Sequence, residues 1–409
     1  MEDKEIFTYL TLPSGLRMVY HREDAMVEYC GLAVNAGSRD ESQSEFGLAH
    51  FVEHTIFKGT LRRRAWHIIN RMEAVGGELN AYTTKEETMV YSLFPVGNLQ
   101  RAAELIFDLA ANSRFPDNEL DKEREVVADE INSYLDTPSE AVFDDFEDLI
   151  FAESQLGHNI LGSTDTVAKL TSADCQRYLR RYYTPDNMVF FYSGSTPQAV
   201  VERLAARLSS MLPSADGVRD TRVIPPLVKP FVTSHGVGSH QAHTVIGTRL
   251  PGMYEIDRQA LALLTNILGG PGMNSLLNVS LRERRGLVYS VDASTAIFTD
   301  AGLFTVYFGC DPEDNDRCVK LTLREMARLA EAPMSERALA KAKKQFLGQL
   351  TVGSENREQL VLGSARATLY YGQALTPSQV YDRVMQVTPD RLLTLAQTIA
   401  STPSILTLK

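Results

Sequence analysis

The sequence predicts an α+β fold made of two similar units, each a largely antiparallel sheet packed with helices. Three observations carry this. Strand candidates are mixed with helical runs, and several strand pairs have connections too short for a parallel crossover. The order of elements in the first half recurs in the second. Between the halves lies a stretch with Pro213, Pro225, Pro226 and Pro230 around Gly217, which reads as a linker. The predicted division is 1–215, a linker over 216–230, and 231–409. At 409 residues the chain has room for two such units.

Taken in order, residues 7–12 and 16–20 read as a hairpin around the Pro13-Ser14-Gly15 turn, with a further strand at 29–34. Helices follow over 45–57 and 65–75, the second stopped by Gly76-Gly77. Strands over 79–83 and 88–94 precede helices over 99–111 and 118–135; Leu99, Ala102, Ala103, Ile106 and Leu109 give the first of these its apolar face. In the second half a strand at 244–248, helices at 257–268 and 275–284, strands at 288–294 and 303–308, and helices at 317–329 and 335–350 repeat that order. Asn118–Lys122 resembles Arg337–Lys341, and the same offset carried along the chain sets Glu130 opposite Gln349.

Composition removes several function classes. The formal net charge is −11, against the basic face that nucleic acid or an anionic membrane requires. No apolar run approaches the roughly 20 residues that span a bilayer. Met1–Glu5 resembles neither a secretory signal nor a transit peptide, so a cytoplasmic location is expected. Cys30, Cys175, Cys310 and Cys318 form no CxxC pair and read as free buried thiols.

The sharpest signal is His50-Phe51-Val52-Glu53-His54. A helix advances about 100° per residue, so His50 and His54 project from one face a turn apart, with Glu53 close by. Two imidazoles at this spacing suit tetrahedral zinc, and catalytic zinc adds one carboxylate and a water. A carboxylate near that water can take its proton as the water attacks a carbonyl. The H-x-x-E-H order is the inverzincin pattern. For the third ligand, Glu123 and Glu130 share a face of the 118–135 helix, with Glu130 as ligand and Glu123 behind a histidine; Glu125 and Asp129 are near enough that spacing does not choose.

With these residues the chain resembles the pitrilysin-type (inverzincin) zinc metallopeptidases, and among them the short two-domain bacterial members related to the mitochondrial processing peptidase. The resemblance runs through His50–His54, Phe57-Lys58-Gly59-Thr60, Gly76–Thr83, Glu123–Glu130 and Arg282–Tyr289. It implies two α+β domains facing each other across a chamber, with only the first holding metal. It implies one zinc per chain on His50, His54 and Glu130, the last standing at the family's spacing after His54, with Glu123 as outer partner and Glu53 as base. It further implies that an extended peptide pairs with the strand Leu79, Asn80, Ala81, Tyr82 and Thr83, and that Arg282 and Tyr289 hold the substrate carbonyl. Unfolded or short peptides are the expected substrates. A homodimer is the expected state, with a heterodimer with a related chain as alternative. A non-catalytic subunit of the same fold is the rival reading.

Other signals are weighed and set aside. His235, His240 and His243 have no carboxylate at ligand spacing. Gly269-Gly270-Pro271-Gly272 lacks the Lys-Ser/Thr of a phosphate loop and reads as a turn. Arg62-Arg63-Arg64 reads as a solvated turn, and Lys341, Lys343 and Lys344 as an exposed helix face. Tyr178, Tyr182 and Tyr183 are either core or wall of a chamber.

Overall fold

Alternation and turn chemistry set the first strands where expected. In the computed structural model, which describes residues 7–214, 219 and 221–409, β1 (Phe7–Thr11) and β2 (Arg17–Arg22) form an antiparallel hairpin with Phe7 opposite His21. Gly15 turns it at a φ of 88°, a conformation that favours glycine. The acidic N-terminal residues 1–5 and part of the expected linker (216–218 and 220) lie outside the described residues.

There follow β3 (Val27–Val34), α1 (Leu48–Thr55), α2 (Ala65–Glu73), β4 (Glu78–Thr83), β5 (Thr88–Pro95), α3 (Leu99–Asn112), α4 (Asp117–Leu135), α5 (Pro138–Ile150), α6 (Thr164–Val167), α7 (Ser172–Tyr182), β6 (Met188–Gly194) and α8 (Gln198–Ser209). The second half holds β7 (Val232–His235), β8 (Ala242–Pro251), α9 (Arg258–Gly269), β9 (Val288–Ile297), β10 (Ala301–Cys310), α10 (Asn315–Glu331), α11 (Glu336–Gly353), α12 (Arg357–Tyr371), α13 (Pro377–Met385), α14 (Pro389–Ala400) and β11 (Ser404–Leu408). Where the sequence predicts an α-helix at 275–284, the backbone is π-helical over Asn278–Glu283. Such bulges recur at functional sites.

Two sheets result. The six-stranded sheet runs β1-β2-β6-β3-β5-β4 and the five-stranded sheet β7-β11-β8-β10-β9. Each contains a single parallel pair, β2 with β6 and β7 with β11; the other pairs are antiparallel. Setting β7, β11, β8, β10 and β9 against β2, β6, β3, β5 and β4 matches order and direction throughout. The fold is α+β and internally duplicated.

The compact units do not follow the contiguous division at the linker. One comprises Met1–Asn132, His158–Val223 and Ser354–Thr376; the other comprises Ser133–Gly157, Ile224–Gly353 and Pro377–Lys409. Two helices are therefore exchanged. In the first unit, α12 of the second half lays Val361, Ala365 and Leu369 on Val19, Ala33, Val189 and Phe191 of the six-stranded sheet. In the second unit, α5 of the first half lays Ala141, Val142, Phe146 and Ile150 on Val245, Leu303, Tyr307 and Leu406. Both apolar stripes recur near i and i+4, so each helix buries one face. The first residues of α5 and α12, Pro138 and Arg357, stand at the same offset as those of α4 and α11, Asp117 and Glu336, so the exchange is reciprocal.

Phe146 seats α5 because Gly247 beneath it has no side chain: a Cβ there would stand 2.6 Å from the Phe146 ring. Phe146 is wholly buried. Phe146→Ala is expected to cost about 3–5 kcal/mol, read as a lower denaturant midpoint for the second unit. A loss below about 1 kcal/mol would show that the ring does not hold α5 there.

Candidate metal centre

The helix that carries the two histidines is held by its own apolar residues. Leu48, Ala49, Phe51 and Val52 are buried, and α1 packs against α7 and β4. It is shorter than predicted, with a 3₁₀ turn before it at Gln43–Glu45 and one after it at Ile56–Lys58. On its remaining face His50 and His54 stand with ring centroids 4.5 Å apart.

α4 supplies the carboxylate. Glu130 Oε2 lies 3.8 Å from His50 Nε2 and 3.4 Å from His54 Nε2. Ligands about 2.1 Å from a tetrahedral zinc stand roughly 3.4 Å from one another, so these separations fit one ion. Donor atoms of His50, His54 and Glu130 all fall within 4.8 Å of each other, the one such group of three among the described residues. The spacing ambiguity along α4 thus resolves to Glu130. His50 Nε2 stands beyond hydrogen-bonding distance of Glu130, as two ligands of one ion do, while its Nδ1 is buried without a hydrogen-bond partner. Burial, and then the neighbouring His54, push His50 down to about 3, so its imidazole is neutral and able to donate a lone pair.

Glu123, buried on α4, lies with Oε2 3.4 Å from His54 Nδ1. A carboxylate only accepts, so the His54 proton sits on Nδ1 and leaves Nε2 for a metal. Lys58 Nζ approaches Glu123 Oε1 at 2.5 Å. Lys58 aims Glu123 at His54, a role the sequence reading missed although Lys58 lies one helical turn beyond His54.

Glu53 is half-buried on α1 beside Thr83 of β4. Burial pushes its carboxyl above the ordinary value, against the pull of Thr83 and the His54 imidazole. That direction moves a carboxylate toward the basicity a general base needs. β4 is an edge strand: Leu79 to Thr83 pair with β5 on one side, Leu79 opposite Ser92 and Thr83 opposite Thr88, and no described strand lies on the other. Its free backbone groups can accept another strand.

Arg282 and Tyr289 belong to the second compact unit. Arg282 is exposed in the π-helical segment. Tyr289 is exposed at the start of β9, and its hydroxyl donates to Asp311 Oδ1 at 3.0 Å.

Of the residues set aside, Tyr178 and Tyr182 are core, donating to the carbonyls of Gly37 and Asp40, and Tyr183 is buried. His243 stacks on Tyr307 and shares a hydrogen bond with its hydroxyl. Gly269 ends α9 and packs closely on Ala293, and the chain leaves the helix at Gly270-Pro271-Gly272, in keeping with a turn. Two expectations are corrected. Arg63 is not solvated: it pairs with the buried Asp108, because that carboxylate needs a cation. Lys343 is buried and donates to the Met385 carbonyl at 2.7 Å, since α11 packs that side against α13. All four cysteines are free and buried. Among the described residues no helix is long and apolar enough to cross a membrane.

A family model described as insulinase (peptidase family M16) matches residues 17–164, and one described as peptidase M16 inactive domain matches residues 169–346. An uncharacterized zinc protease of Streptomyces coelicolor is 31% identical over 406 residues, spanning 95% of this chain and 86% of that protein. One of Mycobacterium tuberculosis is 33% identical over 400 residues, spanning 96% and 90%. Among solved structures, a protease from Helicobacter pylori superposes with a TM-score of 0.89 at 20% identity, over 98% of this chain and 99% of that one. The peptidase M16 inactive domain from Pseudomonas fluorescens does so at 0.88 and 17%, over 98% of both. At these identities the structural likeness is one of fold.

Proposed function

This chain belongs to peptidase family M16, and from that premise we propose that it is a zinc-dependent peptidase acting on unfolded or short peptides. The observation that carries the proposal is the convergence of His50, His54 and Glu130 with Glu53 on the same helix as the histidines. Zinc held by His50, His54 and Glu130 would supply the Lewis acidity that makes water a nucleophile near neutral pH.

The chain's own residues do the rest. An extended peptide adds to the free edge of β4, where backbone hydrogen bonds give affinity with little sequence preference. Glu53 takes a proton from the attacking water as its oxygen bonds to the peptide carbonyl carbon. It then hands that proton to the nitrogen as the C–N bond breaks. For Arg282 and Tyr289 the family resemblance supports donation to the carbonyl oxygen as it gains negative charge, and both are exposed.

The test is bound metal by mass spectrometry together with cleavage of a quenched fluorescent peptide library. About one zinc per chain and hydrolysis are expected. Tyr289→Phe is expected to lower kcat about 100-fold with zinc unchanged, as when an oxyanion donor is removed. Zinc without cleavage would overturn the peptidase reading in favour of a non-catalytic subunit. Absence of zinc would overturn the metal centre.

A further inference from the structure

We propose that Glu41 and His158 form a clamp that sets the first turn of α1, and with it the directions of His50 and His54, before any metal binds. The first N–H groups of a helix have no partners within it, and a side chain at the N-cap usually serves them. The N-cap of α1 is Gly47, which has no side chain. Glu41, from the preceding loop, serves instead. Its Oε2 accepts the Gly47 N–H at 2.8 Å and its Oε1 accepts the Ala49 N–H at 2.6 Å.

That carboxylate is 0% exposed. Its third donor is His158 Nε2, 3.1 Å from Oε2 and far away in sequence. The His158 ring lies flat on Phe46, centroids 3.7 Å apart and planes 5° apart. The Lys85 ammonium donates to the His158 carbonyl. Two glycines close the contact. A Cβ on Gly47 would stand 2.6 Å from the Leu161 carbonyl oxygen, and one on Gly162 would stand 2.3 Å from that of Phe46. Both have positive φ, 94° and 71°, so neither position suits another residue.

Burial pushes the Glu41 carboxyl well above its ordinary value, against the pull of the Ala49 and Gly47 N–H groups, and its two oxygens accept those N–H groups at the positive end of the helix dipole. His50 directly follows Ala49, whose N–H is fixed, and His54 is one turn further on. A site of this kind needs its ligands held within about 0.5 Å of productive geometry. Glu41 bonds the backbone of α1 and His158 bonds Glu41, so both act on the imidazoles through the helix and are positioning residues. The link to metal rests on the function proposed above; the clamp on α1 does not.

The test uses the full chain freed of metal, as wild type, His158→Ala and His158→Gln. The glutamine amide can place a donor where the imidazole Nε2 stands. Backbone amide exchange is followed across residues 45–57 and across β3 and β6, and zinc affinity is measured by competition with a chromogenic chelator. His158→Ala is expected to speed exchange in α1 about tenfold and to weaken zinc about tenfold, a typical loss for an outer partner, with β3 and β6 unchanged. His158→Gln should return most of both. Exchange in α1 within twofold of wild type, or an equal rise across β3 and β6, would overturn the clamp. A wild type that takes no zinc would sink the peptidase reading, while the exchange comparison would still decide the clamp.

Discussion

Glu53→Gln is expected to abolish peptide hydrolysis while leaving zinc in place. The two side chains have the same shape, so the packing of α1 against β4 should survive. What is lost is the ability to accept a proton from the attacking water. General-base catalysis contributes about 10²–10⁴-fold, and a carboxyl that burial moves toward neutrality belongs at the upper end. The loss should appear in kcat, because Glu53 is not on the β4 edge that would bind the peptide backbone. Zinc content should match wild type, since the donor group is His50, His54 and Glu130. A variant retaining a tenth of wild-type kcat would place the base elsewhere.

The parts of the molecule that depend on local pattern were legible in the sequence. The β1–β2 hairpin follows from a Pro-Ser-Gly turn between apolar runs. The H-x-x-E-H helix follows from the i, i+4 spacing of its histidines. The duplication follows from one constant offset, the one that sets Asn118 against Arg337, and the structure repeats it in α4 with α11 and α5 with α12. Contacts between distant segments were not legible. An amphipathic helix reveals which face it buries but not against which sheet, so the exchange of α5 and α12 could not be read. Phe146 is informative only beside Gly247. β6 went unseen because it is buried along its whole length and shows no alternation. Glu41 and His158 obey no period. Glu130 could be separated from Glu125 and Asp129 only by the resemblance, until the fold brought its carboxylate to both imidazoles.

Glu130→Gln is expected to remove the metal itself. A carboxamide keeps the length of the side chain but offers a neutral oxygen in place of an anionic one, and zinc sites draw on His, Cys and carboxylate ligands. Affinity should fall by more than the roughly 10–100-fold usual when an outer partner is lost, and activity should fall with it. Glu123→Gln is that outer case: it breaks the Lys58–Glu123–His54 chain but leaves all three ligands, so its loss should be the smaller. Glu53→Gln should change zinc affinity least of the three. The second half of the chain already carries the first of these substitutions, with Gln349 on α11 where α4 has Glu130. Among the described residues no group of three close ligands exists there. Chelator competition across the three variants therefore tests the assignment by rank. If Glu123→Gln weakened zinc more than Glu130→Gln did, the carboxylate ligand would be Glu123, and Lys58 would have to release it when metal binds.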